Sequence, residues 1–161
     1  MKYEERCQDL FTVNENIPDN EQPYCLAHCI SADFGMFGGI VTEFNSRWDM
    51  KNILLEKYND QQRTFKDHGA LVFPESVRDH GHQTLVYNLV TKLTVCHKPT
   101  YKDLNKSLEL MKYHMVVSGC NRLAIPTIGC GIDGLDWEVV SDMIQEVFKD
   151  TNIEILVCMR Y

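Results

Sequence analysis

Arg122-Leu123-Ala124-Ile125-Pro126-Thr127-Ile128-Gly129-Cys130-Gly131-Ile132-Asp133-Gly134-Leu135-Asp136-Trp137 joins three signals in one stretch: a short apolar run, three glycines within six residues, and the start of an amphipathic pattern. The apolar run Arg122 to Pro126 reads as a strand. Asp136 can cap a helix whose apolar stripe is Val140, Ile144, Val147 and Phe148. A strand that passes through a glycine-rich turn into a helix is the repeating unit of parallel sheets covered by helices. Ligands in such sheets bind where strands end and these turns begin.

The units on either side follow the same logic. Upstream, Thr100-Tyr101-Lys102-Asp103 offers a cap with a carboxylate three positions on. Leu104, Leu108, Met111 and Met115 then recur at helical spacing until Ser118-Gly119 stops the pattern. Downstream, Ile153 to Cys158 is a further apolar strand. The β-branched and aromatic segment Gln83 to Thr91 predicts another. Pro23 to Ser31 is nearly all apolar, which suits a strand buried on both faces. After it comes a second glycine-bearing stretch, Ser31-Ala32-Asp33-Phe34-Gly35-Met36-Phe37-Gly38-Gly39-Ile40, and a helical region from about 39 to 58 broken near Asp49. Residues 4–10 and 70–73 are weaker strand candidates, and Thr12 to Gln22 and Pro74 to His82 read as surface loops. The expected order is strand, strand, helix, strand, strand, helix, strand, helix, strand. With no repeat, linker or low-complexity tract, residues 1–161 are expected to form one α/β domain.

The charge balance of 16 Lys and Arg against 23 Asp and Glu gives −7, which argues against general binding of a phosphate backbone. One small anionic ligand held by main-chain N–H groups remains compatible with it. No apolar run approaches the ~18 residues of a bilayer span, so no membrane association is expected. The acidic start Met1-Lys2-Tyr3-Glu4-Glu5 does not resemble a signal peptide. A nuclear or cytoplasmic rather than secreted location is expected. The 7 cysteines are odd in number, irregularly spaced and without a Cys-x-x-Cys, and the histidines lack zinc-finger spacing. Reduced cysteines, no metal and no cofactor are expected.

Glycine lets a backbone adopt positive φ and approach a ligand closely. The stretch Ser31 to Ile40 also reads simply as a turn, and it is neither a Walker loop nor a clean dinucleotide fingerprint. Cys130, between two glycines, reads as a nucleophile or as a small residue that fits a tight place. Asp133 reads as a turn former or as a general base. Lys92, just past a strand, reads as a solvated surface lysine or as an amine nucleophile.

Leu26-Ala27-His28-Cys29-Ile30-Ser31, Lys92 with His97-Lys98-Pro99-Thr100-Tyr101, and Ile128-Gly129-Cys130-Gly131-Ile132-Asp133 together resemble a macro domain. Within that superfamily they resemble the terminal ADP-ribose protein glycohydrolase, or O-acetyl-ADP-ribose deacetylase, branch. The resemblance runs from Gln8-Asp9-Leu10-Phe11 to the final strand, and its most specific part is Thr91 to Phe148. It implies a three-layer α/β/α sandwich around a mixed, mostly parallel sheet, with ADP-ribose in a cleft at the strand ends. By the same resemblance Asp9, with Leu10 beside it, reads the adenine amino group. Ser31 lines the ribose and phosphate channel with Gly38 and Gly39. The loop of Thr127, Ile128, Gly129, Cys130, Gly131, Ile132 and Asp133 wraps the diphosphate, and Arg160 lies in the segment closing over the adenosine end.

Lys92 matches the family's nucleophile and Asp133 its proton acceptor. The implied reaction removes mono-ADP-ribose from glutamate or aspartate esters on proteins, with O-acetyl-ADP-ribose as a small substrate. The amine must be unprotonated to attack, and His97 is a candidate for tuning the site. The implied partners are ADP-ribose, mono-ADP-ribosylated proteins and ADP-ribosylated nucleic-acid ends, and a monomer is expected. One departure stands out: Phe37 occupies the place of the first glycine of the family's Gly-x-Gly pair. That keeps a second reading open, a reader module that binds ADP-ribose without turning it over. A phosphatase acting on ADP-ribose 1″-phosphate is a third reading, and a ligand-free scaffold a fourth.

Overall fold

The computed structural model describes residues 1–159. Its centre is one six-stranded sheet built from β1 (Lys2–Arg6), β2 (Cys25–Ser31), β3 (Leu71–Asp79), β4 (His82–Lys92), β5 (Arg122–Ile125) and β6 (Glu154–Cys158), in the spatial order β1-β6-β5-β2-β4-β3. All neighbours run parallel except β3, which pairs antiparallel to β4 at one edge. The helices are α1 (Val41–Trp48), α2 (Met50–Tyr58), α3 (Gln62–His68), α4 (Tyr101–Ser118) and α5 (Trp137–Phe148).

Strand alternation explains why the central strands are apolar throughout. Cys25 and Ala27, Tyr87 and Leu89, Leu123 and Ile125, and Ile155 and Val157 bury themselves in a core with α4 and α5. Their neighbours Leu26 and Ile30, Val86 and Val90, Ala124, and Leu156 bury themselves in a second core with Phe44 of α1 and with Met50 and Leu54 of α2. Side chains on successive strand residues point to opposite faces, so a strand covered on both sides has no polar face to display. The result is the expected three-layer α/β/α sandwich around a mixed, mostly parallel sheet.

Local signals in the chain set the helix ends. The Thr100 hydroxyl accepts from Asp103 N, and α4 stops at Gly119 with φ 74°. The Asp136 carboxylate accepts from Glu138 N at the start of α5. The predicted break at Asp49 is a left-handed residue, φ 54°, between α1 and α2. The predicted strand over 4–10 is displaced: β1 lies over Lys2–Arg6, and Leu10–Thr12 form a single 3-10 turn capped by Asp9.

One expected surface loop, and the first residues of another whose remainder over 15–22 is an exposed loop as expected, belong to the folded core. Pro74 to Asp79 belong to β3, and a two-residue turn at His80 and Gly81, with φ 48° and 82°, leads into β4. Two left-handed turn residues match the twist of a β-hairpin. The alternation along β3 is present but disguised, because its inward positions carry carboxylates. Glu75 is buried and meets Lys57 Nζ at 2.7 Å and the Tyr58 hydroxyl at 3.1 Å. Asp79 is buried and accepts from Asn14 Nδ2 at 3.0 Å. Pro74 is tolerated because β3 is an edge strand, where a missing N–H leaves no ladder bond unmade. Asn14, at the start of the second expected loop, is fully buried, donates to Tyr24 O and accepts from Tyr24 N. Helix α3 has no buried residue, so it shows no apolar stripe to read.

Candidate active site

The carboxyl ends of the parallel strands all reach one edge of the sheet. In spatial order that edge carries the segment after β1, then the ends of β6, β5, β2 and β4. The catalytic candidates sit at the last three. The ladder between β2 and β4 slips by one residue at its end, so Ser31 faces Lys92 rather than Thr91. This register slip delivers the Lys92 side chain to the mouth of the sheet.

The loop after β5 folds through its own backbone. Ile128 N donates to Pro126 O at 2.8 Å, Cys130 N to Thr127 O at 3.2 Å, Gly134 N to Gly131 O at 3.1 Å and Leu135 N to Gly129 O at 2.8 Å. The N–H groups of Gly131, Ile132 and Asp133 take no part in this turn pattern. Gly129 has φ 74°, and a Cβ there would meet Leu135 at 3.0 Å, so only glycine fits. Lys98 Nζ pins the loop from outside by donating to Ile132 O at 2.8 Å.

The loop after β2 turns differently. The Asp33 carboxylate accepts from both the Ser31 hydroxyl and Gly35 N, a local motif that organises the turn before any helix begins. Left-handed backbone falls at Phe34, Met36, Gly38 and Gly39. Phe37 is not among them, so the aromatic residue in the family's glycine position carries no such strain itself. Its ring is 70% exposed and stands 5.0 Å from Lys51 Nζ. The two loops meet where Ile132 packs onto Gly38 and Gly39.

Between the loops lies a cavity of about 250 Å3. Ser31, Gly38, Gly39, Lys92, Thr127, Ile128, Gly129, Gly131, Ile132 and Asp133 all line it. Lys92 Nζ donates to Asp133 Oδ1 at 2.7 Å, and the two side chains are only 12% and 15% exposed. Lys92 Nζ also lies 3.5 Å from Val95 O. Lys92 is therefore no solvated surface lysine, and Asp133 serves as more than a turn former.

The thiols nearby do not compete as nucleophiles. Burial, and then the negative charge of Asp133, push Cys29 up to about 12. Burial, with Asp136 and Asp133 adding to it, pushes Cys130 up to about 11. The Cys130 thiol turns away from the cavity to donate to Ile128 O at 3.3 Å. A thiol held protonated is a poor nucleophile.

The remaining expected residues lie apart. The Asp9 carboxylate accepts from Phe11 N at 2.9 Å, and Leu10 is buried in the α1–α2 core. Both follow β1, on the same edge but outside the cavity. His97 is exposed and shares a hydrogen bond with the Thr94 hydroxyl, away from the cavity. Arg160 lies outside the described residues. The apolar wall of the cavity, from Met36, Ile40, Val41 and Val95, is visible only in three dimensions, because such residues look like ordinary core in the sequence. Asp33 was legible in principle as an Asx turn two residues ahead of Gly35. Among the described residues, no group of three or more His, Cys, Asp or Glu side chains is placed to hold a metal ion.

No family model matches the chain. It is 43% identical over 132 residues to the human protein called ADP-ribose glycohydrolase OARD1, covering 82% of this chain and 79% of that one. In fold it resembles the macrodomain of Thermus aquaticus DarG, with a TM-score of 0.74 at 16% identity over 97% of each chain. It also resembles Thermosipho africanus DarTG, solved in complex with ADP-ribose, with a TM-score of 0.75 at 17% identity over 98% of this chain and 41% of that one. Two glycine loops close on one cavity at the strand ends of a macrodomain fold, and the sequence shared with ADP-ribose glycohydrolase OARD1 establishes that this chain belongs to that protein's family.

Proposed function

We propose that the protein is a hydrolase that removes mono-ADP-ribose from glutamate and aspartate esters on proteins, with O-acetyl-ADP-ribose as a small substrate. The observation that carries this reading is the 2.7 Å contact between Lys92 Nζ and Asp133 Oδ1 at the wall of the cavity. A protein that only binds ADP-ribose needs neither an amine nor a carboxylate there, whereas a catalyst of this kind needs both. The relative at 43% identity bears the name of an ADP-ribose glycohydrolase, which supports the same reading.

The mechanism follows from the two groups. Asp133 takes the proton from the Lys92 ammonium, and the freed lone pair attacks the anomeric carbon of the distal ribose. A C–N bond forms as the C–O bond to the ester breaks. The leaving group departs as a carboxylate, so it needs no strong general acid. Asp133 gives that proton up to solvent and, as a carboxylate again, takes one from the water whose oxygen displaces the lysine. The amine leaves neutral, recovers the proton from Asp133, and ADP-ribose is released. The amides of Gly131, Ile132 and Asp133 hold the diphosphate through N–H donors. ADP-ribosylated nucleic-acid ends present the same distal ribose and are a second class of substrate under this reading.

The test is incubation of the protein and its Lys92→Ala and Asp133→Ala variants with a glutamate-ADP-ribosylated protein, alongside calorimetry with ADP-ribose. Release that either substitution lowers at least ~100-fold supports the mechanism. An adduct of ADP-ribose on Lys92 that accumulates in Asp133→Ala assigns the nucleophile. Binding without release by the unmodified protein overturns the hydrolase reading in favour of a reader module, the alternative that the exposed Phe37 beside the distal ribose favours.

A further inference from the structure

The loop after β5 consists of two successive β-turns. Cys130 N donates to Thr127 O in the first, and Gly134 N donates to Gly131 O in the second. The peptide between the two central residues of such a turn can face either way, and turning it over carries the third residue to positive φ. In the first turn that third residue is Gly129, with φ 74°. In the second it is Asp133, which is not among the residues of positive φ. The central peptide of the second turn thus joins Ile132 to the residue whose carboxylate meets Lys92 at 2.7 Å. Its direction is held from outside the turn, where Lys98 Nζ donates to Ile132 O at 2.8 Å. Lys98 is exposed and is not part of the cavity wall, and its neighbour Pro99 is buried. Tyr101 braces the far end of the same segment, its hydroxyl accepting from Asp136 N at 3.0 Å.

We infer that Lys98 is a positioning residue that keeps the Ile132–Asp133 peptide turned with Asp133 N–H, not Ile132 O, towards the ligand. The peptide is planar and trans, so its C=O and N–H point in opposite directions. Lys98 draws the carbonyl outward, which leaves the amide on the cavity side of the loop, where it takes no part in the turn pattern. The opposite orientation would set a carbonyl dipole against the diphosphate and force Asp133 into left-handed backbone. The ammonium on the carbonyl also polarises the peptide and strengthens its N–H as a donor. Pro99 restricts the backbone of Lys98, so the ammonium is presented from a fixed base. The role depends on the cavity holding ADP-ribose, the ligand of the proposed function. It adds a control on binding to that function, because the fraction of molecules with the peptide turned this way sets the apparent affinity.

The test measures ADP-ribose binding by calorimetry for the unmodified protein, Lys98→Met, Lys98→Arg and Lys102→Met. Lys98→Met keeps an extended side chain but cannot donate, and should weaken binding about fivefold. Lys98→Arg restores a donor to Ile132 O and should bind within about twofold of the unmodified protein. Lys102 is exposed in the first turn of α4 and carries the same charge, but it does not hold Ile132 O. Lys102→Met should therefore also stay within about twofold. In isotope-labelled protein the Asp133 amide proton should move downfield when ADP-ribose is added, in the unmodified protein and Lys98→Arg but not in Lys98→Met. A change in overall stability would not produce that signature. Equal affinity of Lys98→Met and the unmodified protein overturns the inference and leaves the ADP-ribose reading intact. An equal loss in Lys102→Met does the same, because it reduces Lys98 to general charge. No binding by the unmodified protein overturns the ADP-ribose reading and the role of Lys98 with it.

Discussion

The Ile132 side chain packs onto Gly38, its Cδ1 lying 2.9 Å from where a Gly38 Cβ would be. The two glycine loops, nearly a hundred residues apart in sequence, therefore close on each other at the cavity that Lys92 and Asp133 line. Gly38 also has φ 76°, where a non-glycine residue costs roughly 1–2 kcal/mol. Gly38→Ala should weaken ADP-ribose binding about tenfold, as read by calorimetry, because the loop must shift to relieve both the clash and the strain. Adding Ile132→Ala removes the clash alone and should restore only part of that affinity. Full restoration would show that left-handed backbone at position 38 is not required.

Phe37 should act through its ring, not through its backbone. Its φ is not left-handed, and its ring rests near Lys51 Nζ at the cavity mouth. Phe37→Gly, which restores the family's glycine, should therefore weaken ADP-ribose binding by about 0.5–1 kcal/mol through lost contact and added loop freedom. Tighter binding or faster turnover in this variant would instead show that the aromatic residue obstructs the ligand.

His28 should make the fold acid-sensitive. The ring is fully buried, stacked on Phe44 at 3.8 Å, with Nε2 at 2.6 Å from Asn88 Oδ1. Asn88 Nδ2 donates to Phe73 O, so its oxygen faces the histidine, Nε2 carries the hydrogen, and Nδ1 is left bare and without a partner. Burial holds His28 down at about 4, against an ordinary 6.5. Between those values the unfolded chain binds a proton that the folded one refuses. This contribution is complete above pH 6.5 and is lost as pH falls towards 4, about 3 kcal/mol in all. Urea unfolding at several pH values should give a shallower slope in His28→Gln than in the unmodified protein across that window. Equal slopes would mean that His28 protonates without cost to the fold.

Asn14 should behave as a core residue despite its polar surroundings in the sequence. Asn14→Ala strips the buried Asp79 carboxylate and the Tyr24 backbone of their partner. The expected loss is about 2–4 kcal/mol by urea denaturation. A loss below about 0.5 kcal/mol would restore the surface-loop reading of this segment.

The sequence carried most of the frame because the central strands and α4 and α5 bury apolar side chains at regular spacing. Where regularity failed, reading failed for identifiable reasons. Helix α3 buries nothing, so no period marked it. Strand β3 turns Glu75 and Asp79 inward, so beyond Phe73 its period is written largely in carboxylates and reads as a loop. At the site, residues of both glycine loops and the Lys92–Asp133 pair line one cavity. The strand reading alone could not have brought Lys92 to Asp133, because that depends on the register slip at the end of β2 and β4. Asp9 and Leu10 lie on the same edge of the sheet beyond that cavity, where one caps a 3-10 turn and the other packs into the core.

The carboxylates that hide β3 from view also bear on how the protein behaves in concentrated solution. An outermost strand offers its unpaired amides to any other chain that can align with it, which is a common first step towards aggregation. Pro74 deletes one of those amides, and a chain that annealed alongside β3 would have to accommodate a strand tied inward by Glu75 and Asp79. Replacing these inward charges with valine would straighten the hydrophobic pattern and remove a guard against self-association.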